Sequence, residues 1–148
     1  MEIGNGKPQA ELSERQIYMM LAIALCEEEN LRPMDEDQDA AGQLWELYGE
    51  AYGERDDVTD DDDPYELFEN DLSYLLERGY ISEDKNECRF RVEKSAEAAV
   101  EEEAVKGKNL TAEKAKKLLK EFGYTALMAT AKNLPNIAMT LIKIAANA

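Results

Sequence analysis

The charged side chains of this sequence are divided unequally along its length, and this division limits how the chain can fold. Residues 107–148 carry seven lysines against two acidic residues, a net charge of +5. Residues 1–106 carry ten basic against 31 acidic side chains, a net charge of −21. So many carboxylates are expected to lie outermost, around a core of apolar residues gathered at regular spacing. The negative electrostatic potential of residues 1–106 repels nucleic acid and attracts cationic surfaces, including the chain's own basic C-terminal part.

The composition also bears on chemistry and location. The sequence has no histidine and only two cysteines, which removes the commonest general base and the commonest zinc ligand. It also lacks a glycine-rich phosphate-binding loop, so we expect a protein that is not an enzyme and has no cofactor. Residues 1–8 lack a basic stretch followed by an apolar one, and no apolar run reaches membrane-spanning length. We therefore expect a cytoplasmic protein with no membrane partner, in which Cys26 and Cys88 are small, reduced, buried residues.

Apolar residues at helical spacing predict three helices in the acidic part of the chain. The first spans residues 12–28 with Ser13 as its N-cap, and because it is apolar nearly all round it should be central in the core. The second spans residues 39–52, and the third spans residues 64–78 and is opened by Pro64. Their predicted buried faces are Leu44, Leu47, Tyr48 and Ala51 in the second helix, and Phe68, Leu72, Leu75 and Leu76 in the third.

A short β-hairpin and further helices are predicted after Gly79, which ends the third helix. An extended segment begins at residues 80–81, residues 82–86 form a polar turn, and residues 88–92 alternate as a returning strand. Helices are then expected over residues 95–105, 111–122, 125–133 and 136–146. This organisation predicts a flexible N-terminus (residues 1–11), an acidic domain (12–94) and a helical C-terminal extension (95–148).

The order of three helices and a hairpin is that of a winged-helix domain. Residues 71–81 read Asp-Leu-Ser-Tyr-Leu-Leu-Glu-Arg-Gly-Tyr-Ile, with a leucine pair, charged residues, a glycine and an apolar residue entering the first strand. On these features residues 12–92 resemble a winged-helix domain, and they are similar to the C-terminal winged helix of archaeal origin-recognition initiators. The resemblance implies a mainly α fold, with a three-helix winged-helix unit, a short hairpin, and C-terminal helices that pack on it or dimerise. It also implies a role in DNA metabolism.

The charges on the third helix favour a protein partner over DNA. A DNA-reading helix presents Arg, Lys, Asn or Gln, whereas this one presents Glu66, Glu69, Asp71 and Glu77. The leading hypothesis is a non-enzymatic regulatory or interaction module of DNA metabolism that contacts a protein partner through an acidic surface. A basic nucleic-acid-binding protein is the candidate partner. The predicted acidic surface consists of Asp56, Asp57, Asp60, Asp61, Asp62, Asp63, Glu66 and Glu69.

Two alternatives remain open from the sequence. The chain could be a duplex-DNA-binding winged-helix protein of transcription or replication initiation that works at high salt. Its contacts would then be Asn70, Arg78, Lys85, Arg89 and Arg91. It could instead be an acidic DNA mimic that occupies the nucleic-acid groove of another protein and so blocks it.

Two further sets of residues suggest other contacts. The C-terminal apolar residues either pack on the acidic domain or make a homodimer; they are Leu127, Met128, Leu134, Ile137, Met139, Leu141 and Ile144. Asp35, Asp37, Asp39 and Glu46 occupy the first, third, fifth and twelfth positions of a calcium-loop pattern. The sixth position of that pattern requires glycine and is Ala40 here, so the preferred interpretation is that Asp37 or Asp39 caps the second helix. No other metal site is predicted.

Overall fold

The structure is a computed structural model that describes residues 11–29, 31, 37–122 and 134–146. These residues form a mainly helical protein with one small two-stranded antiparallel sheet, as the sequence predicts. In chain order the elements are α1 (Glu14–Glu28), α2 (Ala40–Gly53), α3 (Pro64–Glu77), β1 (Ile81–Asp84), β2 (Arg89–Val92), α4 (Lys94–Lys106), α5 (Ala112–Glu121) and α6 (Asn136–Ala145). The helix predicted over residues 125–133 and most of the N-terminal segment predicted to be flexible lie outside the described residues.

Helix α1 is the central element of the core. Ser13 caps it through a reciprocal pair of hydrogen bonds: the Gln16 backbone N–H donates to Ser13 Oγ at 3.2 Å, and the Ser13 backbone N–H donates to Gln16 Oε1 at 3.0 Å. Such a capping box contributes about 1 kcal/mol to helix stability. Residues from Ile17 to Ala24 are all buried, and α1 contacts α2, α3, α6 and β2. The predicted cap and the predicted central position are both confirmed.

Helices α2 and α3 pack beside α1. Two of the residues predicted to lie in their buried faces are exposed instead. Phe68, Leu72 and Leu75 are buried as predicted. Leu47, however, is 51% exposed, because the inner face of α2 advances in steps of four residues and Leu47 is rotated by about 100° from that line. Leu76 is also exposed, since its neighbour Leu75 takes the inward position in the last turn of α3.

The hairpin follows α3 through a left-handed turn. Gly79 has φ 75°, a backbone conformation that a residue with a Cβ rarely adopts, and it ends the helix as predicted. Strands β1 and β2 pair antiparallel in the register Ile81↔Val92 to Asp84↔Arg89, and Ile81 and Phe90 are buried. Cys26 is buried as predicted, but Cys88 is not: it lies in the turn with φ 51° and is exposed, because β2 begins one residue later.

The C-terminal helices complete the same core. Helix α5 buries Ala115, Leu118 and Leu119, and α6 packs on α5, α4 and α1. The buried residues of α1 to α6 and of the hairpin form one continuous apolar cluster. The described part of the C-terminal extension therefore packs on the acidic part of its own chain.

Candidate interaction surface

A buried network holds α1, α2 and α3 together beneath the predicted acidic surface. Asp71, predicted to face outward, is only 3% exposed, and this prediction is corrected. Arg15 donates to its carboxylate through Nε at 2.8 Å and Nη2 at 3.2 Å, and Gln16 Nε2 donates at 2.9 Å. The Tyr52 hydroxyl donates to Asp71 Oδ2 at 2.5 Å. Burial raises the pKa of Tyr52, and the hydrogen bond to Asp71 raises it further.

Residues 54–63, which we call the acidic loop, connect α2 to α3 and are tied to α1. Asp57 Oδ2 lies 3.3 Å from Arg15 Nη1, and it also accepts a hydrogen bond of 3.4 Å from the Arg15 backbone N–H. Arg15 therefore pairs with Asp57 on one side and with Asp71 on the other. Asp57 acts as an anchor for the loop and is only partly available to a partner.

Two further aspartates of the acidic loop stabilise its own backbone. Asp62 Oδ2 accepts hydrogen bonds from the Thr59 backbone N–H at 2.9 Å and from Thr59 Oγ1 at 3.0 Å. These bonds, the backbone one first, lower the pKa of Asp62. Asp63 Oδ1 accepts from the Tyr65 backbone N–H at 3.1 Å and so caps α3, which begins at Pro64. The turn after Val58 is therefore held in place by its own carboxylates.

Of the other carboxylates of the predicted acidic surface, Asp56 pairs with Lys117. The remaining four, Asp60, Asp61, Glu66 and Glu69, point to solvent and form what we call the acidic face. They make no ion pair with any residue that the structure describes. Along α3 the exposed residues Glu66, Glu69, Asn70, Ser73 and Glu77 recur at helical spacing and form one solvent stripe. This stripe has three carboxylates and no lysine or arginine.

The acidic loop is also where the acidic and basic parts of the chain meet. Arg55 is 6% exposed; its Nη2 donates to Glu121 Oε1 at 2.9 Å, and its Nη1 pairs with the second carboxylate oxygen of Glu121. The Arg55 guanidinium lies 4.5 Å from the centre of the Tyr18 ring. Nearby, Lys117 Nζ lies 3.5 Å from Asp56 Oδ2 in an exposed pair. The sequence indicates the attraction between the two parts but not the buried arginine that joins them.

The residues proposed for DNA contact are scattered, and part of their charge is neutralised. Arg91, 43% exposed, lies 3.5 Å from Asp84 Oδ2 and 3.8 Å from Glu27 Oε1. Arg89 is opposite Asp84 in the sheet, and the Arg78 guanidinium lies 5.3 Å from the centre of the Tyr74 ring. Asn70 and Lys85 are exposed.

The calcium-loop candidate does not form a cluster within the described residues. Asp35 lies outside them and Asp37 is exposed. Asp39 Oδ1 accepts a hydrogen bond of 2.8 Å from the Gly42 backbone N–H and is the N-cap of α2. Glu46 accepts a hydrogen bond from Gln38 Nε2. Among the described residues no three Asp, Glu or Cys side chains are grouped so as to hold a metal ion.

The residues proposed for self-association are placed differently from one another. Ile137 and Leu141 are buried in the chain's own core, Leu134 and Ile144 are half-buried, and Met139 is exposed. Leu127 and Met128 lie outside the described residues. Of the described members, Met139 therefore offers the most apolar surface to a second copy.

Comparisons with models of protein families, with curated proteins and with solved structures found no significant match to this chain. None of the described helices combines the length and the apolar character needed to cross a membrane.

Proposed function

We propose that this protein is a non-enzymatic interaction module of DNA metabolism that contacts a basic protein partner through its acidic face. In this proposal residues 12–92 form a winged-helix unit. The order α1, α2, α3, β1, β2 supports that arrangement, as does the packing of β1 on α3 and of β2 on α1. The C-terminal helices then support this unit through α6, which packs on α1 and also on α4 and α5.

The observation that carries the proposal is the solvent stripe of α3. In a winged-helix reader this helix would enter the major groove, where each phosphate contact needs a cation to displace counterions. Here Glu66, Glu69 and Glu77 are exposed on the stripe, and the helix contains no lysine or arginine. A surface of this charge is complementary to a cationic protein and attracts it over a Debye length of about 8–10 Å.

The test compares capture of partners by the wild-type chain and by a variant whose acidic face is neutralised. The variant carries Asp60→Asn, Asp61→Asn, Glu66→Gln and Glu69→Gln. The matched control neutralises four exposed carboxylates on other elements: Glu28→Gln, Glu83→Gln, Glu101→Gln and Glu102→Gln. We expect mass spectrometry of the captured proteins to find basic nucleic-acid-binding proteins with the wild type and the control, and to lose them with the acidic-face variant.

Duplex binding is measured in parallel by fluorescence anisotropy at about 50 mM salt. No binding is expected there. Duplex affinity that falls steeply with added salt and requires Lys85 and Arg78 would replace the proposal with the DNA-binding alternative. A captured partner that releases its own nucleic acid when this chain binds would identify the DNA mimic. Capture that is equal for all three proteins would contradict any role of the acidic face.

A further inference from the structure

An open groove of about 800 Å³ lies along α2 and is lined by Glu54, the first residue of the acidic loop, but by no residue of the acidic face. Trp45, Gly49 and Pro64 line it together with glutamates of α2 and of the acidic loop. Trp45 is half-buried, so part of its ring remains open to solvent. The groove therefore presents part of the Trp45 ring to a ligand.

The Trp45 ring is held firmly in this position. Its centre lies 5.0 Å from that of Tyr65 and 5.0 Å from that of Phe68, both in edge-to-face geometry. The ring also lies directly against α2: a Cβ added at Gly49 would be 2.6 Å from Trp45 Cδ2, closer than a real Cβ approaches a non-bonded carbon. Glycine at this position thus allows the indole to lie flat on the helix backbone. A ring fixed in this way loses little conformational entropy when a ligand stacks on it.

Carboxylates line the groove at regular intervals. Glu46, Glu50 and Glu54 line it at steps of four residues, about 6 Å of helix length each. Helix α2 contains no lysine or arginine. An aromatic face bordered by carboxylates suits a guanidinium group, which stacks on aromatic rings and donates to carboxylates in the same plane.

We infer that the groove binds an arginine-bearing segment of a partner protein, with one guanidinium stacked on Trp45 and paired with Glu50 or Glu54. The inference rests on the proposed function, which supplies a positively charged partner. It adds that the contacting residue of the partner is an arginine and that it binds in the α2 groove. Charge complementarity selects this occupant, because an acidic or purely apolar segment would leave Glu50 and Glu54 without partners in the interface.

The test measures the fluorescence of Trp45, which reports on the groove alone because it is the only tryptophan of the sequence. The probe is a blocked alanine-based peptide with arginines four residues apart, titrated while the tryptophan emission is recorded. We expect saturable quenching by the arginine peptide and none by its glutamate analogue. The double variant Glu50→Gln, Glu54→Gln should weaken binding by about tenfold. The control Glu101→Gln, Glu102→Gln, which changes the same charge on α4, should bind like the wild type.

Each outcome separates this inference from the proposed function. An unchanged Trp45 emission, or equal weakening by the groove variant and the α4 control, would overturn the inference even if the acidic face still captures a basic partner. Saturable quenching that depends on Glu50 and Glu54 would support it even if the acidic-face variant captured the same proteins as the wild type. Peptide-induced dimerisation without a tryptophan response would show that the site lies elsewhere and would also overturn the inference.

Discussion

Removing the carboxylate of Asp71 should destabilise the protein more than removal of any exposed carboxylate. In Asp71→Ala the four hydrogen bonds from Arg15, Gln16 and Tyr52 lose their acceptor, at a site only 3% exposed. Breaking a buried charged pair in this way costs about 3–5 kcal/mol. Arg15 keeps Asp57 as a second partner, which places the expected loss near the lower end of that range, about 3 kcal/mol. This is a large part of the roughly 5–15 kcal/mol that holds a domain folded.

The assay is urea unfolding followed by far-UV circular dichroism, with the free energy of unfolding taken from the midpoint at constant slope. Glu69→Ala, on the same helix but exposed, is the control and should change stability by less than about 0.5 kcal/mol. A double-mutant cycle of Asp71→Asn with Tyr52→Phe should give a coupling energy of about 0.5–3 kcal/mol. A loss below about 1 kcal/mol for Asp71→Ala would refute the reasoning, because it would mean that the donors find water or other acceptors at no cost.

Three further predictions concern other parts of the fold. Glu121→Gln should lower the free energy of unfolding by about 1–3 kcal/mol in urea, because the buried Arg55 loses its charged partner; an unchanged midpoint would show that the pair adds nothing. Burial raises the pKa of the Cys26 thiol to about 11, so in the native protein a thiol-specific reagent should label exposed Cys88 at once and Cys26 only after denaturation. Because the pKa of Tyr52 is raised on folding, its contribution to stability is complete below the ordinary tyrosine pKa of about 10 and is lost as the pH rises through the folded-state value. Urea midpoints should therefore fall less steeply above about pH 10 in Tyr52→Phe than in the wild type, and parallel curves would contradict this.

The element order and most boundaries could be predicted because their causes are local. Ser13 caps α1 through bonds within four residues, Pro64 is the first residue of α3, and Gly79 supplies the positive φ that ends it. The exposure of Leu47 could not be predicted from periodicity alone. The apolar residues of α2 are spread widely enough around the helix that either of two neighbouring faces could be the buried one. Packing against α1 buries the face that does not include Leu47.

The buried polar contacts were harder to predict because their partners are distant in sequence. Asp71 does lie at the inner spacing of α3, three residues after Phe68, and this position was the one available indication of its burial. In a sequence with 33 acidic residues that indication was hidden by the general excess of carboxylates. Arg55 gave no comparable indication, since its partner Glu121 is 66 residues away and the two meet only when α5 packs beside the acidic loop.

The internal ion pairs also strengthen the argument about the partner's charge. Each pair, such as Arg15 with Asp71 or Arg55 with Glu121, removes one positive and one negative group from the surface, so the net charge of −16 is unchanged. The sequence has six arginines, and among those described Arg15, Arg55 and Arg91 are held by carboxylates of the same chain. Folding thus places a larger share of the arginines than of the acidic residues in ion pairs within the chain. The folded surface is consequently a poorer ligand for phosphates, and a better one for a cationic protein, than the composition alone indicates.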